Sequence, residues 1–366
     1  MMIGRNRDRA AIERRAAIAH RSDHVVPHRI ANDARHGLLK AVRNAPAGGC
    51  RSSAVAIVDQ TAPAKPGGMT DKRLDHRAFR LSWQAETRLY IAPTLDDAVA
   101  ALDERGRDGA PLAGATWIMR APLREERHDL SYVAISKIAT LRELSVGARE
   151  VSIGACVTHA ELARELASAP DCRALALAAG NAANPAIRQV ATIGGNLCAA
   201  NFAAADLVPA LLCLDAEIEL QGPRGADRIP LRRFLEIRAS LAPGQLVRRV
   251  IVARTPRRSV HVRLPLRKAG DYPVAIFSLA VTLDAAGLVT SASAAVGSVE
   301  AAARRWRELE AELIGHPLDP ARAAEKAEHH CAALRPRDGV EAPGWYRVKV
   351  LPNLVRKAAS ALRKQS

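Results

Sequence analysis

Ile187-Arg188-Gln189-Val190-Ala191-Thr192-Ile193-Gly194-Gly195-Asn196-Leu197, followed by Ala205-Asp206-Leu207-Val208-Pro209-Ala210-Leu211-Leu212, is the stretch on which the fold turns. The text around it, residues 171–214, reads as mostly helical. It is broken at 181–184 ahead of Pro185, and again at 192–196, so two helices flank a glycine turn. Ala113-Gly114-Ala115-Thr116 forms a second loop of small residues. In both loops minimal side chains permit positive φ, and backbone N–H groups can converge on an anion. Thr116, Thr192 and Asn196 add side-chain donors, which suits a pyrophosphate bridge better than a carboxylate. On spacing alone, a plain tight turn accounts for the same glycines. No GxGxxG, Walker A or HExxH pattern is present, which argues against a Rossmann dinucleotide site, a P-loop and a zincin.

Outward from the loops, strands and helices alternate. Residues 89–92 read as a strand, Pro93-Thr94 opens a helix with Leu95, Ala98, Val99 and Leu102 on one face, and 111–113 lead as a strand into the first loop. Further strands are expected at 133–135 and 151–155. Thr158 and Glu161 have the spacing of a capping box. Residues 216–220 and 246–252 read as strands of a second sheet. Residues 274–283 and 288–296, joined by Asp284-Ala285-Ala286-Gly287, read as a hairpin. Helices are expected at 304–314, 320–334 and 348–363, so the chain from about 258 onward reads as an α+β domain of its own.

The chain has 366 residues and 48% apolar side chains, enough to bury the cores of two or three units. Charged residues interrupt every apolar run short of the roughly 20 residues a membrane helix needs, so no membrane span and a cytoplasmic location are expected. The net charge of +16 would point to nucleic acid were it not confined to the ends. Residues 1–80 hold 16 Lys/Arg against 7 Asp/Glu and residues 333–366 hold 8 against 2, leaving the body near neutral. Aromatic residues are 3% of the chain, too few for base-stacking platforms, so no nucleic-acid partner is expected. The basic C-terminal residues read as a solvated helix face or as a docking patch for an acidic partner.

Cys50, Cys156, Cys172, Cys198, Cys213 and Cys331 are scattered without a CxxC pair, so no metal ligands are assigned and each is expected to be a small buried hydrophobe. Residues 1–80 read as a basic, disordered extension, with the functional polypeptide beginning near Met69. His20, His24 and His28 would align on a helix, but Pro27 breaks it. His159 is expected on the surface at a helix start, with a proton shuttle as the alternative. Tyr272 is expected half-buried before Pro273, or else over a bound ring.

The quoted stretch resembles the FAD-binding medium subunit of molybdenum hydroxylases, the family of the flavoprotein subunit of aerobic carbon monoxide dehydrogenase and the flavin domain of xanthine dehydrogenase. The likeness extends through Val151-Ser152-Ile153-Gly154-Ala155 to Leu162, Pro243-Gly244-Gln245-Leu246, Arg267-Lys268-Ala269 and Trp345-Tyr346-Arg347, and spans about residues 88–364. It implies an α+β chain: a PCMH-type FAD-binding domain of two α/β subdomains over 81–257, then a smaller C-terminal α+β domain over 258–366 with an antiparallel sheet and helices. It implies FAD, with the pyrophosphate between Ala113, Gly114, Ala115, Thr116 and Trp117 on one side and Thr192, Ile193, Gly194, Gly195 and Asn196 on the other. Asp206 matches an acidic residue that helps hold the cofactor. Val247 matches an apolar position near the flavin, and Arg267 or Lys268 falls where the family has a basic residue beside it.

The resemblance further implies an electron-transfer subunit with no catalytic acid or base of its own. Its partners would be a molybdopterin-binding large subunit and a 2Fe–2S small subunit, and electrons would leave to NAD, quinone or dioxygen. A free-standing FAD-dependent oxidoreductase and a flavin-less basic binding module are the alternatives. Three features depart from the family pattern: Ala115 stands for a glycine, Trp117 for a small polar or acidic residue, and the segment 198–205 is one residue longer. Ala115 is tolerable there if its φ is negative or the strain is borne. Trp117 would either stack beside the cofactor or pack in the core.

Overall fold

The structure, a computed structural model, describes residues 88–127, 129–266 and 272–364. The expected extension over 1–80, the start near Met69, the His20/His24/His28 run, Cys50, Arg267 and Lys268 lie outside the described residues.

The first layer is a three-stranded parallel sheet of β1 (Leu89–Ile91), β2 (Gly109–Leu112) and β3 (Ser131–Ala134), in the order β1-β3-β2. Helix α1 (Leu95–Arg105) joins β1 to β2. Thr94 starts it by accepting the Asp97 N–H at 3.1 Å, and Gly106, at φ 58°, stops it. Its face of Ala98, Val99 and Leu102 is buried against Val133, Ile135 and Leu141. β2 therefore delivers the chain at its C-terminal end directly into the loop of Gly114 and Ala115.

The second layer departs from simple β/α alternation. Strands β4 (Leu144–Val146), β5 (Glu150–Gly154), β6 (Glu217–Gly222), β7 (Gly225–Pro230) and β8 (Leu246–Ala253) form one sheet in the order β4-β5-β8-β6-β7, antiparallel throughout. The two strands expected in a second sheet thus join β5 in the same one. Between β5 and β6 the chain runs through α2 (His159–Glu165), α3 (Arg173–Asn181), α4 (Pro185–Arg188), α5 (Ile193–Cys198) and α6 (Leu207–Cys213). Leu162, Leu175, Leu197 and Leu211 of these helices share one core with Val151, Ile153, Val250 and Val252 of the strands. A helical excursion of this length returns the chain to the same sheet from either direction, which is why local sequence did not fix the strand sense.

The third sheet, β12-β11-β10-β9, comprises β9 (Arg258–Pro265), β10 (Pro273–Leu283), β11 (Val289–Gly297) and β12 (Arg304–Arg305). The expected hairpin is there: Asp284 Oδ1 accepts the N–H groups of Ala286 and Leu288 at 2.9 and 2.8 Å, and Gly287 turns the chain at φ 81°. The helix expected from 304 begins at 307 instead, because Arg304 and Arg305 pair with Val296 and Ala295. Helix α7 (Leu231–Ile237) follows β7 in the second layer, and helices α8 (Arg307–Leu313), α9 (Pro320–His330), α10 (Gly344–Lys349) and α11 (Leu351–Arg363) cover the third sheet. All seven residues of α6 are buried, since the helix lies between the second and third sheets.

Among the described residues no helix is long and apolar enough to cross a membrane. Cys156, Cys172 and Cys213 are buried and Cys331 is half-buried, but Cys198 is exposed, a correction to the uniformly buried reading. Among the described residues no three metal-ligating side chains converge.

Candidate functional site

The two glycine-bearing loops meet across one cleft of ≈ 1070 Å³, at the top of the range of small-molecule sites, roughly 300–1,000 Å³. Ala113, Gly114, Ala115, Thr116 and Trp117 line one wall. Thr192, Gly194, Gly195, Asn196, Asp206 and Val247 also face it, so eleven of the fourteen residues named from sequence come together. Ile193 does not: its side chain is fully buried in the core. Arg267 and Lys268 are outside the described residues.

The loops do different work, which corrects the expectation of two backbone nests. In the second loop Thr192 is the N-cap of α5, and neither Gly194 nor Gly195 has positive φ. The backbone donors are spent: Ile193 N–H on Val157 O at 3.0 Å, Gly194 N–H on Ala155 O at 2.9 Å, Gly195 N–H on Thr192 Oγ1 at 3.1 Å and Asn196 N–H on Thr192 O at 3.0 Å. Gly194 is glycine for proximity, since a Cβ there would lie 2.8 Å from Ala155 O. In the first loop the N–H groups of Gly114, Ala115, Thr116 and Trp117 have no partner among the described residues. These are the donors left for an anion. Ala115 carries the turn at φ 59°, so the positive φ foreseen for a glycine falls on the alanine.

Trp117 neither enters the core nor stands free. It lines the cleft, with Phe202 at 4.5 Å between ring centroids and the Arg124 guanidinium 3.7 Å above its ring. Tyr272 extends the ladder, 5.2 Å from Phe202, and its hydroxyl accepts from Arg120 at 2.9 Å. Phe202 comes from the connection between α5 and α6.

Among the described residues, four arginines line the cleft (Arg107, Arg120, Arg238 and Arg263) against one carboxylate, that of Asp206. That balance favours an anionic ligand. Arg238 also donates to Leu197 O in the last turn of α5 at 2.6 Å and to Ala200 O just past its end at 3.3 Å. Asp206 is buried; Arg263 Nε stands 2.9 Å and His261 Nε2 3.7 Å from its Oδ1. Asn196 Oδ1 is buried without a hydrogen-bond partner, an orphan that a ligand hydroxyl would satisfy.

His159 overturns the surface reading, being 3% exposed and lining the cleft. Its backbone N–H bonds Ala191 O at 2.9 Å, which pins α2 beneath the first turn of α5, and neither ring nitrogen has a hydrogen-bond partner. No local pattern marks this, because the burial comes from a chain segment 32 residues away. Burial pushes the imidazole down from 6.5 to about 4, against the upward pull of the Asp206 carboxylate. Below pH 6.5 the unfolded chain takes up a proton that the folded chain refuses. Stability is therefore full above that pH and is lost progressively as pH falls to about 4. The loss amounts to about 3 kcal/mol. His159→Gln should flatten this part of the melting-temperature profile between pH 7 and 4, and parallel profiles for the two chains would refute the assignment.

Comparison with known proteins decides what the cleft belongs to. Residues 84–255 match the FAD binding domain in molybdopterin dehydrogenase, and residues 261–362 match the CO dehydrogenase flavoprotein C-terminal domain. The chain is 31% identical over 281 residues to the 6-hydroxypseudooxynicotine dehydrogenase complex subunit alpha of Paenarthrobacter nicotinovorans, covering 75% of this chain and 94% of that one. This chain belongs to the FAD-binding medium-subunit family of molybdenum hydroxylases.

Other members agree. The carbon monoxide dehydrogenase medium chain of Afipia carboxidovorans is 32% identical, over 72% of this chain and 92% of that one. A solved structure of reconstituted CO dehydrogenase from Oligotropha carboxidovorans superposes with a TM-score of 0.67 at 26% identity, over 77% of this chain and 99% of that one. The fold is thus the α+β PCMH-type fold of this oxidoreductase family, and its cofactor is FAD. The cleft fits that cofactor. Unpaired backbone donors and arginines suit the doubly charged pyrophosphate, and the orphan Asn196 Oδ1 and the Asp206 carboxylate suit sugar or ribityl hydroxyls.

Proposed function

We propose that the chain is the FAD-carrying electron-transfer subunit of a heteromeric molybdenum hydroxylase. Within the two-part division at about residue 257, it receives electrons from an iron–sulfur partner and passes them to NAD, quinone or dioxygen. The single observation carrying this is the cleft: among the described residues it has four backbone N–H groups from 114 to 117 without a partner, arginines on its walls, and no nucleophile–base pair. FAD when bound supplies the redox chemistry. The chain's own residues hold and shield it. The 114–117 backbone and the arginines take the pyrophosphate, Asp206 and Asn196 take hydroxyls, and Val247 offers an apolar wall. The Trp117–Phe202–Tyr272 ladder limits water at the mouth.

A subunit of this kind draws on a molybdopterin-binding large subunit and a 2Fe–2S small subunit for substrate oxidation and electron relay. The relatives' names support the reading: one is the subunit of a dehydrogenase complex and the other a medium chain. The test is a visible spectrum of the purified full-length chain before and after adding FAD, with the released cofactor identified. Flavin absorption with FAD rather than FMN released is the expected result. A chain that stays colourless in excess FAD, alone and with its partner subunits, would overturn the proposal.

A further inference from the structure

Asp206 is reached from behind by the third sheet. His261 and Arg263 lie two residues apart on β9 and so project from the same face. Both approach the Oδ1 atom, Arg263 Nε at 2.9 Å and His261 Nε2 at 3.7 Å. His261 is directly opposite Ser278 in the β9–β10 register, and its Nδ1 is 2.9 Å from the Ser278 hydroxyl oxygen. The side chain of His261 and the whole of Ser278 are inaccessible to solvent. Oδ1 is likewise buried, so Asp206 meets the cleft it lines with its other oxygen.

We propose that His261, oriented by Ser278, is a positioning residue that sets the Asp206 carboxylate for the cofactor. The argument is one of tautomers. If Nδ1 carried the proton, the Nε2 lone pair would face a carboxylate oxygen, which is repulsive. With the Ser278 hydroxyl donating to Nδ1, the proton sits on Nε2, and its attraction to Oδ1 acts across 3.7 Å as an electrostatic contact, since neither atom has a hydrogen-bond partner. Arg263, two residues on and on the same face of the strand, adds an ion pair to the same oxygen, its Nε 2.9 Å away without hydrogen-bond alignment. The carboxylate is then fixed in rotation, and its free oxygen keeps a constant aim into the cleft. A buried carboxylate without this support would lose part of its grip through rotamer freedom, which is the general reason a supporting shell matters as much as the contact itself. The proposal rests on the reading that Asp206 touches FAD.

The experiment is a titration of the full-length chain with FAD, followed by flavin fluorescence, on wild type and five variants: His261→Asn, His261→Gln, Ser278→Ala, Asp206→Asn and the Asp206→Asn, His261→Asn double variant. His261→Asn places an amide where Nδ1 stood, keeping the Ser278 contact but losing reach to Asp206. His261→Gln reaches the Nε2 position. The asparagine variant should bind FAD about 10-fold more weakly and the glutamine variant within about 3-fold of wild type. In an Asp206→Asn background, His261→Asn should add less than about 2-fold, since the residue acts through Asp206. Ser278→Ala, which frees the tautomer, should cost about 3-fold and serves as the second probe if His261→Asn fails to fold. If the wild-type chain takes up no FAD, the cofactor reading falls and takes the proposal with it. If wild type binds and His261→Asn binds equally, or its loss persists undiminished without Asp206, the positioning role alone is refuted.

Discussion

Replacing Gly114 by alanine is expected to weaken FAD binding at least ~100-fold and to lower the melting temperature of the chain. A Cβ at this position would lie 1.9 Å from Val190 O and 2.8 Å from its carbonyl carbon. Both are backbone atoms of the segment entering the second loop, so no side chain can swing aside. The first loop would have to withdraw from residues 190–191, carrying with it the free N–H groups of Gly114, Ala115, Thr116 and Trp117. Those donors act on an anion only from a fixed position. The neighbouring change should have the opposite sign. Ala115 sits at φ 59°, where an L-residue with a Cβ is strained by about 1–2 kcal/mol. Ala115→Gly removes that strain and returns some of the gain as unfolded-chain entropy, for a net stabilisation of about 0.5–1 kcal/mol. Thermal melts and FAD titrations of the two variants check both statements. A Gly114→Ala chain that binds FAD as wild type does would show that the loops need not touch.

The largest expected loss of stability belongs to Arg347→Met. Arg347 is 0% exposed, and its guanidinium donates to Val274 O at 2.8 Å, Ser298 O at 3.1 Å, Ala342 O at 3.2 Å and the Glu341 carboxylate at 2.8 Å. One side chain thereby ties the start of β10, the turn after β11 and the approach to α10. Removing it takes the guanidinium from Val274 O and Ala342 O and leaves Ser298 O and the Glu341 carboxylate to Arg337, which by analogy with broken buried pairs costs about 3–5 kcal/mol. Arg347→Lys should recover little, because an ammonium cannot fork to four acceptors on different sides. Urea unfolding at constant slope reads the effect, and a midpoint within error of wild type would contradict it. The Trp345-Tyr346-Arg347 run, part of the resemblance seen in sequence, thus owes its third residue to the core. Trp345 and Tyr346 remain exposed.

How far sequence carried the reading differs from element to element. Capping chemistry is local and was legible: Thr158 Oγ1 accepts the Glu161 N–H at 3.2 Å, and Glu161 Oε2 accepts the Thr158 N–H at 2.8 Å. The hairpin over 273–297 is equally local. The sense of β5 against β8 was not legible, because their pairing closes over 90 residues of intervening chain and depends on helix packing. In the cleft, eleven residues assigned by position assembled as expected, but what they do there did not follow. Gly194 serves close packing, and neither glycine of 192–196 leaves a free N–H, because Ala155 O takes the Gly194 donor and Thr192 Oγ1 takes that of Gly195. His159, His261 and Ser278 were missed or misplaced for a common reason. Each is defined by a cross-strand or cross-layer neighbour, and single-sequence periodicity carries no term for that.

The position of β8 in the second sheet bears on how the protein is made. β8 is the last strand of that sheet in sequence and sits at its middle, between β5 and β6. Until Leu246–Ala253 has been synthesised, β4–β5 and β6–β7 are two hairpins, each with an open inner edge. Those edges offer unpaired N–H and C=O groups and the apolar side chains Ile153 and Ile218, the ingredients of intermolecular pairing. A polypeptide released before residue 246 would therefore be an aggregation hazard rather than a smaller soluble unit. The nascent chain depends on whatever shields those edges during the interval in which some ninety residues separate β5 from its partner.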